Sequence, residues 1–115
     1  MSVVESVVED YLTTAEWADA QEQGRSKEFA EVAKQEASEV CSKFMEDAKT
    51  LPSFDQDIYD NLFGGDIWLS RNGHGAGFFA RGDHPYWDEL QELAAKIGAR
   101  SLFANDNDEW EFDLG

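Results

Sequence analysis

The chain has 115 residues, with 25 acids against nine bases and a formal net charge of −16. That length fits one domain, and four Trp, three Tyr and eight Phe give enough apolar bulk for a core, which excludes a wholly disordered acidic tail. The charge argues against direct nucleic-acid binding, which needs Lys and Arg to displace counterions, and the short apolar runs exclude a membrane-spanning helix.

Residues 1–24 predict a first helix. Val3, Val4, Val7, Val8, Tyr11, Leu12 and Ala15 form one apolar stripe, and Gly24 ends it. The start MSVVESVVEDY has neither a basic cluster nor an apolar block, so a secretory signal is not expected. Ser26 is a good N-cap for a second helix reaching about Lys49, with Phe29, Val32, Ala33, Ala37, Val40, Cys41, Phe44 and Ala48 as its stripe. Pro52 stops it. Ser53 to Gln56 has the form of a capping box, so a short third helix is expected over 54–62, closed by Gly64 and Gly65.

The second half changes period. Ile67–Arg71 and Gly77–Arg81 are of strand length, and the turn residues Asn72–Ala76 between them predict a β-hairpin. Asp83, His84 and Pro85 open a helix whose stripe is Trp87, Leu90, Leu93, Ala94 and Ile97, with Gly98 as its C-terminal cap. Ser101–Ala104 and Glu109–Asp113 read as two further strands around an Asn105–Asp108 turn. The expectation is a single α+β domain: helices over 1–63, packed on a small antiparallel sheet of ββαββ order over 64–115.

The run Asp66-Ile-Trp-Leu-Ser-Arg-Asn-Gly-His-Gly-Ala-Gly-Phe-Phe-Ala-Arg81 resembles a stretch of the form FWLTRNGHGAGFWDR in a group of small bacteriophage and prophage proteins. Their aromatic helix ending near ALW is similar to Tyr11–Trp17, and their AAK element to Ala94-Ala95-Lys96. The chain departs from the pattern at Phe79 and Ala80, where the group often has Trp and Asp. The resemblance implies a phage gene expressed in the host bacterial cytoplasm. It implies no reaction.

Candidate functional residues fall into two sets. Residues 1–24 carry six acids and no base, and residues 101–115 carry five acids and no base. Glu5, Glu9, Glu16 and Asp19 share one side of the first helix, where successive turns set carboxylates about 5–6 Å apart. Asp106, Asp108, Glu109, Glu111 and Asp113 lie on the last turn and strand, with Trp110 as an exposed aromatic anchor between them. Duplex DNA presents one charge per roughly 1.7 Å of axis, so carboxylates so arranged resemble a phosphate track. Such a surface suits a host nucleic-acid-binding protein or complex as partner.

The alternative is a protein-binding module using the glycine-rich Arg71–Gly77 hairpin, with Arg71, Asn72 and His74 in contact. The wide Val3–Leu12 stripe leaves a homodimer open. No metal site is expected, because His74, His84, Asp66 and Asp83 lack ligand spacing. No cofactor loop and no activated nucleophile point to an enzyme. Cys41, on an apolar stripe, reads as a buried structural thiol.

Overall fold

The structure is a computed structural model and describes residues 3–19, 27–73 and 77–113. The described elements are α1 (Val3–Asp19), α2 (Glu31–Ala48), α3 (Gln56–Asp60), α4 (Gly64–Arg71), a 3-10 turn (Phe78–Ala80), α5 (Pro85–Ala95), β1 (Leu102–Ala104) and β2 (Trp110–Phe112). The described residues are mainly helical with one two-stranded antiparallel sheet, α+β in a loose sense, and the ββαββ order is not borne out.

α1 forms where the valine and tyrosine spacing predicts it, and it buries Val7, Tyr11, Thr14 and Ala15. Ser26 and Gly24 lie outside the described residues. α2 starts at Glu31 and buries Ala33, Ala37, Cys41, Phe44, Met45 and Ala48. Small residues at the first three of these positions let neighbouring elements approach closely. α3 is capped by Asp55, whose carboxylate accepts from the Ile58 N–H at 3.0 Å. Ser53 is no cap: its N–H and hydroxyl donate to Glu89 at 2.9 and 2.7 Å, tying this loop to α5.

The largest correction concerns 64–81. Gly64 and Gly65 open a helix instead of closing one, and the predicted strand Ile67–Arg71 lies inside α4. All of α4 except Leu69 is buried. A short apolar run buried on every side carries no period, so strand and helix look alike in the sequence. The predicted strand Gly77–Arg81 is the 3-10 turn, pinned by side chains. Ser70 Oγ accepts from the Phe78 N–H at 3.2 Å and donates to Gln91 Oε1 at 2.7 Å. Arg81 forms two hydrogen bonds with the buried Asp66 carboxylate, at 2.7 and 2.8 Å. No β-hairpin therefore joins these segments.

α5 begins as expected. His84 is the N-cap, its Nδ1 accepting from the Tyr86 N–H at 3.1 Å, and Pro85 occupies the first turn. Gly98 has φ +91°, the left-handed conformation that ends the helix. β1 and β2 pair with Leu102 opposite Phe112, Phe103 opposite Glu111 and Ala104 opposite Trp110. The segment before α2 lies beside β2: the Trp110 N–H donates to Glu28 O at 2.8 Å and the Ala30 N–H to Trp110 O at 3.0 Å.

An aromatic cluster joins the helices to this sheet. Tyr11 meets Trp68 edge-on at 5.5 Å between centroids, and Trp68 meets Phe112 at 5.4 Å. α1 packs most extensively on α4, then on α2. No described helix is long and apolar enough to cross a membrane.

Candidate functional site

The acidic segments at the two ends of the chain meet in space. Glu16 on α1 accepts from the Trp110 indole N–H at 2.7 Å and from the Lys27 N–H at 2.9 Å. The Lys27 ammonium lies 3.1 Å from Asp108 and 5.3 Å from the Trp110 ring centroid. One buried indole and one lysine thus fasten α1, the segment before α2 and the β1–β2 turn together.

That arrangement corrects part of the predicted contact set. Trp110 is fully buried, so it is a core residue and no surface anchor. The alternation of 109–113 turns Trp110 and Phe112 inward, and the core takes the whole indole. Glu16 is half-buried and spent on Trp110 and Lys27. Asp19 accepts from the Trp68 indole N–H, which joins α1 to α4. Glu111 accepts from the Asn105 side-chain amide at 2.7 Å. These acids hold the fold.

Glu5, Glu9, Asp106, Asp108 and Asp113 are exposed, and Glu109 is half-buried. The turn that carries Asp106 and Asp108 is built from its own polar groups. Asn105 Oδ1 accepts from the N–H groups of Asn107 and Glu109, both at 2.9 Å, and Asp108 takes φ +61°. A turn organised in this way presents its carboxylates at small entropic cost on binding. On α1, burial and then the neighbouring Glu9 raise the Asp10 carboxyl above its ordinary value. Like charges already crowd this helix.

The structure also exposes an aromatic that lies outside both predicted contact sets. Trp17 is 63% exposed on α1, one turn beyond Thr13 on the side that carries Glu9. An isolated Trp on a helix with acids on several sides has no periodicity signal to mark it as exposed.

The alternative contact set fares differently. Arg71 is 5% exposed. Its Nε donates to Gly98 O at 2.7 Å and its guanidinium to the Tyr11 hydroxyl at 2.8 Å. Asn72 donates to Trp68 O at 3.0 Å and accepts from the Arg100 N–H at 2.8 Å. Both residues stitch α4 to the chain after α5, so neither offers a partner its side chain. His74 lies outside the described residues. No group of three or more His, Cys, Asp or Glu able to hold a metal comes together among the described residues.

Tyr11 and Cys41 pack near Arg71 in the core. Burial pushes the Cys41 thiol from 9.0 up to about 12, with Arg71 pulling weakly the other way. Burial likewise pushes the Tyr11 phenol from 10.0 up to about 12. Both groups are therefore more protonated in the fold than in the unfolded chain. Their contribution is complete below the unfolded pKa and is lost as pH climbs from about 9 towards 12. The urea midpoint is expected to hold near neutral pH and to fall by about pH 10.5. A midpoint independent of pH across that window would contradict the burial of both groups.

Comparison with protein-family models, with curated proteins and with solved structures finds no match.

Proposed function

We propose that this chain is a phage-encoded acidic inhibitor of a host nucleic-acid-binding defence system, acting as a nucleic-acid mimic by charge. The target class is a nuclease, a restriction enzyme or a CRISPR complex in the host bacterial cytoplasm. The observation that carries the reading is the fastening of α1 to the β1–β2 turn through Glu16, Trp110, Lys27 and Asp108. It brings the two base-free acidic segments, far apart in sequence, onto neighbouring elements of one framework.

The partner-facing set is Glu5, Glu9, Asp106, Glu109 and Asp113. Glu16, Asp19 and Glu111 act behind them as supports, and Asp108 does both. Trp17 takes the anchoring role first expected of Trp110, because a large exposed aromatic beside acids supplies contact area that charge alone lacks. Binding competes with the true ligand for a basic groove, and no catalysis by this chain is involved. Charge sets the association rate and its salt sensitivity.

The test is a variant with Glu5→Gln, Glu9→Gln, Asp106→Asn, Glu109→Gln and Asp113→Asn. None of the five side chains is buried, so the fold is expected to persist, as read by circular dichroism. Capture of the host complex is expected to fall by at least about tenfold, at roughly 1.4 kcal/mol per decade. Capture at the wild-type level by a folded variant would remove the mimic reading.

A further inference from the structure

β1 is the outer strand of its sheet. The segment before α2 lies along the far side of β2, where Trp110 exchanges hydrogen bonds with Glu28 and Ala30. On the near side the Asn105 N–H donates to Glu109 O and the Asp113 N–H to Ser101 O, both at 2.8 Å. Ser101, Phe103 and Asn105 therefore turn their main chain to β2, and Leu102 and Ala104 turn theirs away from it. No hydrogen bond among the described residues uses the N–H or C=O of Leu102 or Ala104, and Ala104 is exposed. Main-chain groups left in this way take water or another chain as partner.

The side chains beside this edge decide what fits it. Leu102, Trp110 and Phe112 face the core. Phe103, 41% exposed, stands on the outer face opposite Glu111. By alternation Asn105, Glu109 and Asp113 share that face, and the Asn105 amide does reach Glu111 across it. Residues 101–115 hold five acids and no base. Lys27 and Arg100 reach the sheet from elsewhere, but Lys27 is held by Asp108 and Arg100 by Glu36 and Asp113 O, and their side chains are only 9% and 22% exposed. A second copy pairing through β1 would set these carboxylates against their own kind, with −16 on each chain. A short, charged edge resists such pairing, whereas a basic strand meets no like charge there.

We propose that the outer edge of β1 takes up an extended basic segment of a partner protein as an added antiparallel strand. The residue opposite Ala104 exchanges main-chain hydrogen bonds with it and points its own side chain to the inner face, where a small apolar group fits. The residue opposite Phe103 turns its N–H away and its side chain outward. An Arg there lies over the Phe103 ring and reaches towards Glu111 and its neighbouring acids. The bonds that define this docking come from the main chain of β1, which competition for a basic groove does not use, so either reading stands or falls without the other.

The probe is a fluorescein-labelled peptide of about eight residues in which Arg and Val alternate, titrated in about 0.15 M salt. Two controls keep its charge and sequence: one is N-methylated at the Val amides, the other at the Arg amides. Methylation at Val is expected to weaken binding at least about tenfold, and methylation at Arg to leave it nearly unchanged. Ala104→Pro removes an outward N–H that no bond in the fold uses, and is expected to weaken binding at least about tenfold. Hydrogen exchange at the Ala104 amide of the wild-type chain should slow at least about tenfold on saturation with the peptide, which tests the edge even where the variant fails to fold. Equal binding of the three peptides would reduce the contact to charge alone and overturn the proposal. So would an Ala104 amide that the peptide leaves unprotected, full binding by a folded Ala104→Pro chain, or protection that grows with protein concentration when no peptide is present, which would make a second copy the occupant.

Discussion

Gly64→Ala is expected to be among the most damaging single substitutions in this domain. A Cβ at Gly64 would stand 1.8 Å from the Val7 carbonyl oxygen, 2.6 Å from its carbon and 2.9 Å from its Cα. All three are backbone atoms, so no rotamer change relieves the contact, and α1 must move off α4. That movement disturbs the Tyr11–Trp68 contact and the hydrogen bond from Trp68 to Asp19. Overpacking usually costs about 1–3 kcal/mol, and a rigid backbone clash lies at or above the top of that range. The melting temperature should fall by more than about 10 °C. Gly82→Ala is the control, because its Cβ would meet only the Trp87 indole at 3.4 Å, and a change within about 0.5 kcal/mol is expected. Thermal melts of both variants decide the point. Equal stability of the two would mean that α1 and α4 do not cross at Gly64.

Arg71→Met is the second large effect. The guanidinium is buried and donates to Gly98 O and to the Tyr11 hydroxyl. Met fills much of the volume but supplies no donor, and both acceptors are left without that partner. Hydrogen bonds to a charged group contribute about 1.5–3 kcal/mol each, and a buried acceptor left unsatisfied costs about 1–3. A loss of about 3 kcal/mol is expected, a large share of the 5–15 kcal/mol typical of a domain. Tyr11→Phe removes only one end of one bond and should cost about 1 kcal/mol. The double variant should cost less than the sum, because the two side chains share a bond. Denaturant melts measure the cycle. Strict additivity would mean that the Arg71–Tyr11 bond contributes nothing. A surface arginine would give almost no change in stability, so this variant also separates the buried role from the hairpin contact set.

Particular residues show what the sequence disclosed. α5 was legible because its signals are local: His84 before Pro85, a 3.6-residue stripe, and Gly98 at its end. β1 and β2 were legible because Trp110 and Phe112 alternate with acids across an asparagine-led turn. α4 was not, because helix and strand bury a run as short as Ile67-Trp68 equally well. The pattern that would have identified it is tertiary: Asp66 reaching Arg81, and Gly64 admitting Val7.

The candidate site divides along the same line. The acidity of α1 and the last strand was plain from charge counts. Which acids support the fold and which remain exposed depended on partners 49 to 94 residues away, as in Asp19–Trp68 and Glu16–Trp110. The same long-range bond converts Trp110 from an expected anchor into core, while Trp17, on a helix of mixed faces, is left outside.

The proposed mode of action puts the exposed carboxylates in a groove built for nucleic acid. The most direct measurement is the release of a captured host complex by excess duplex DNA and, separately, by raised salt. Both are expected to release it, because DNA contends for the same basic groove and salt screens the charges that steer the encounter. A complex that resists both would contradict charge mimicry.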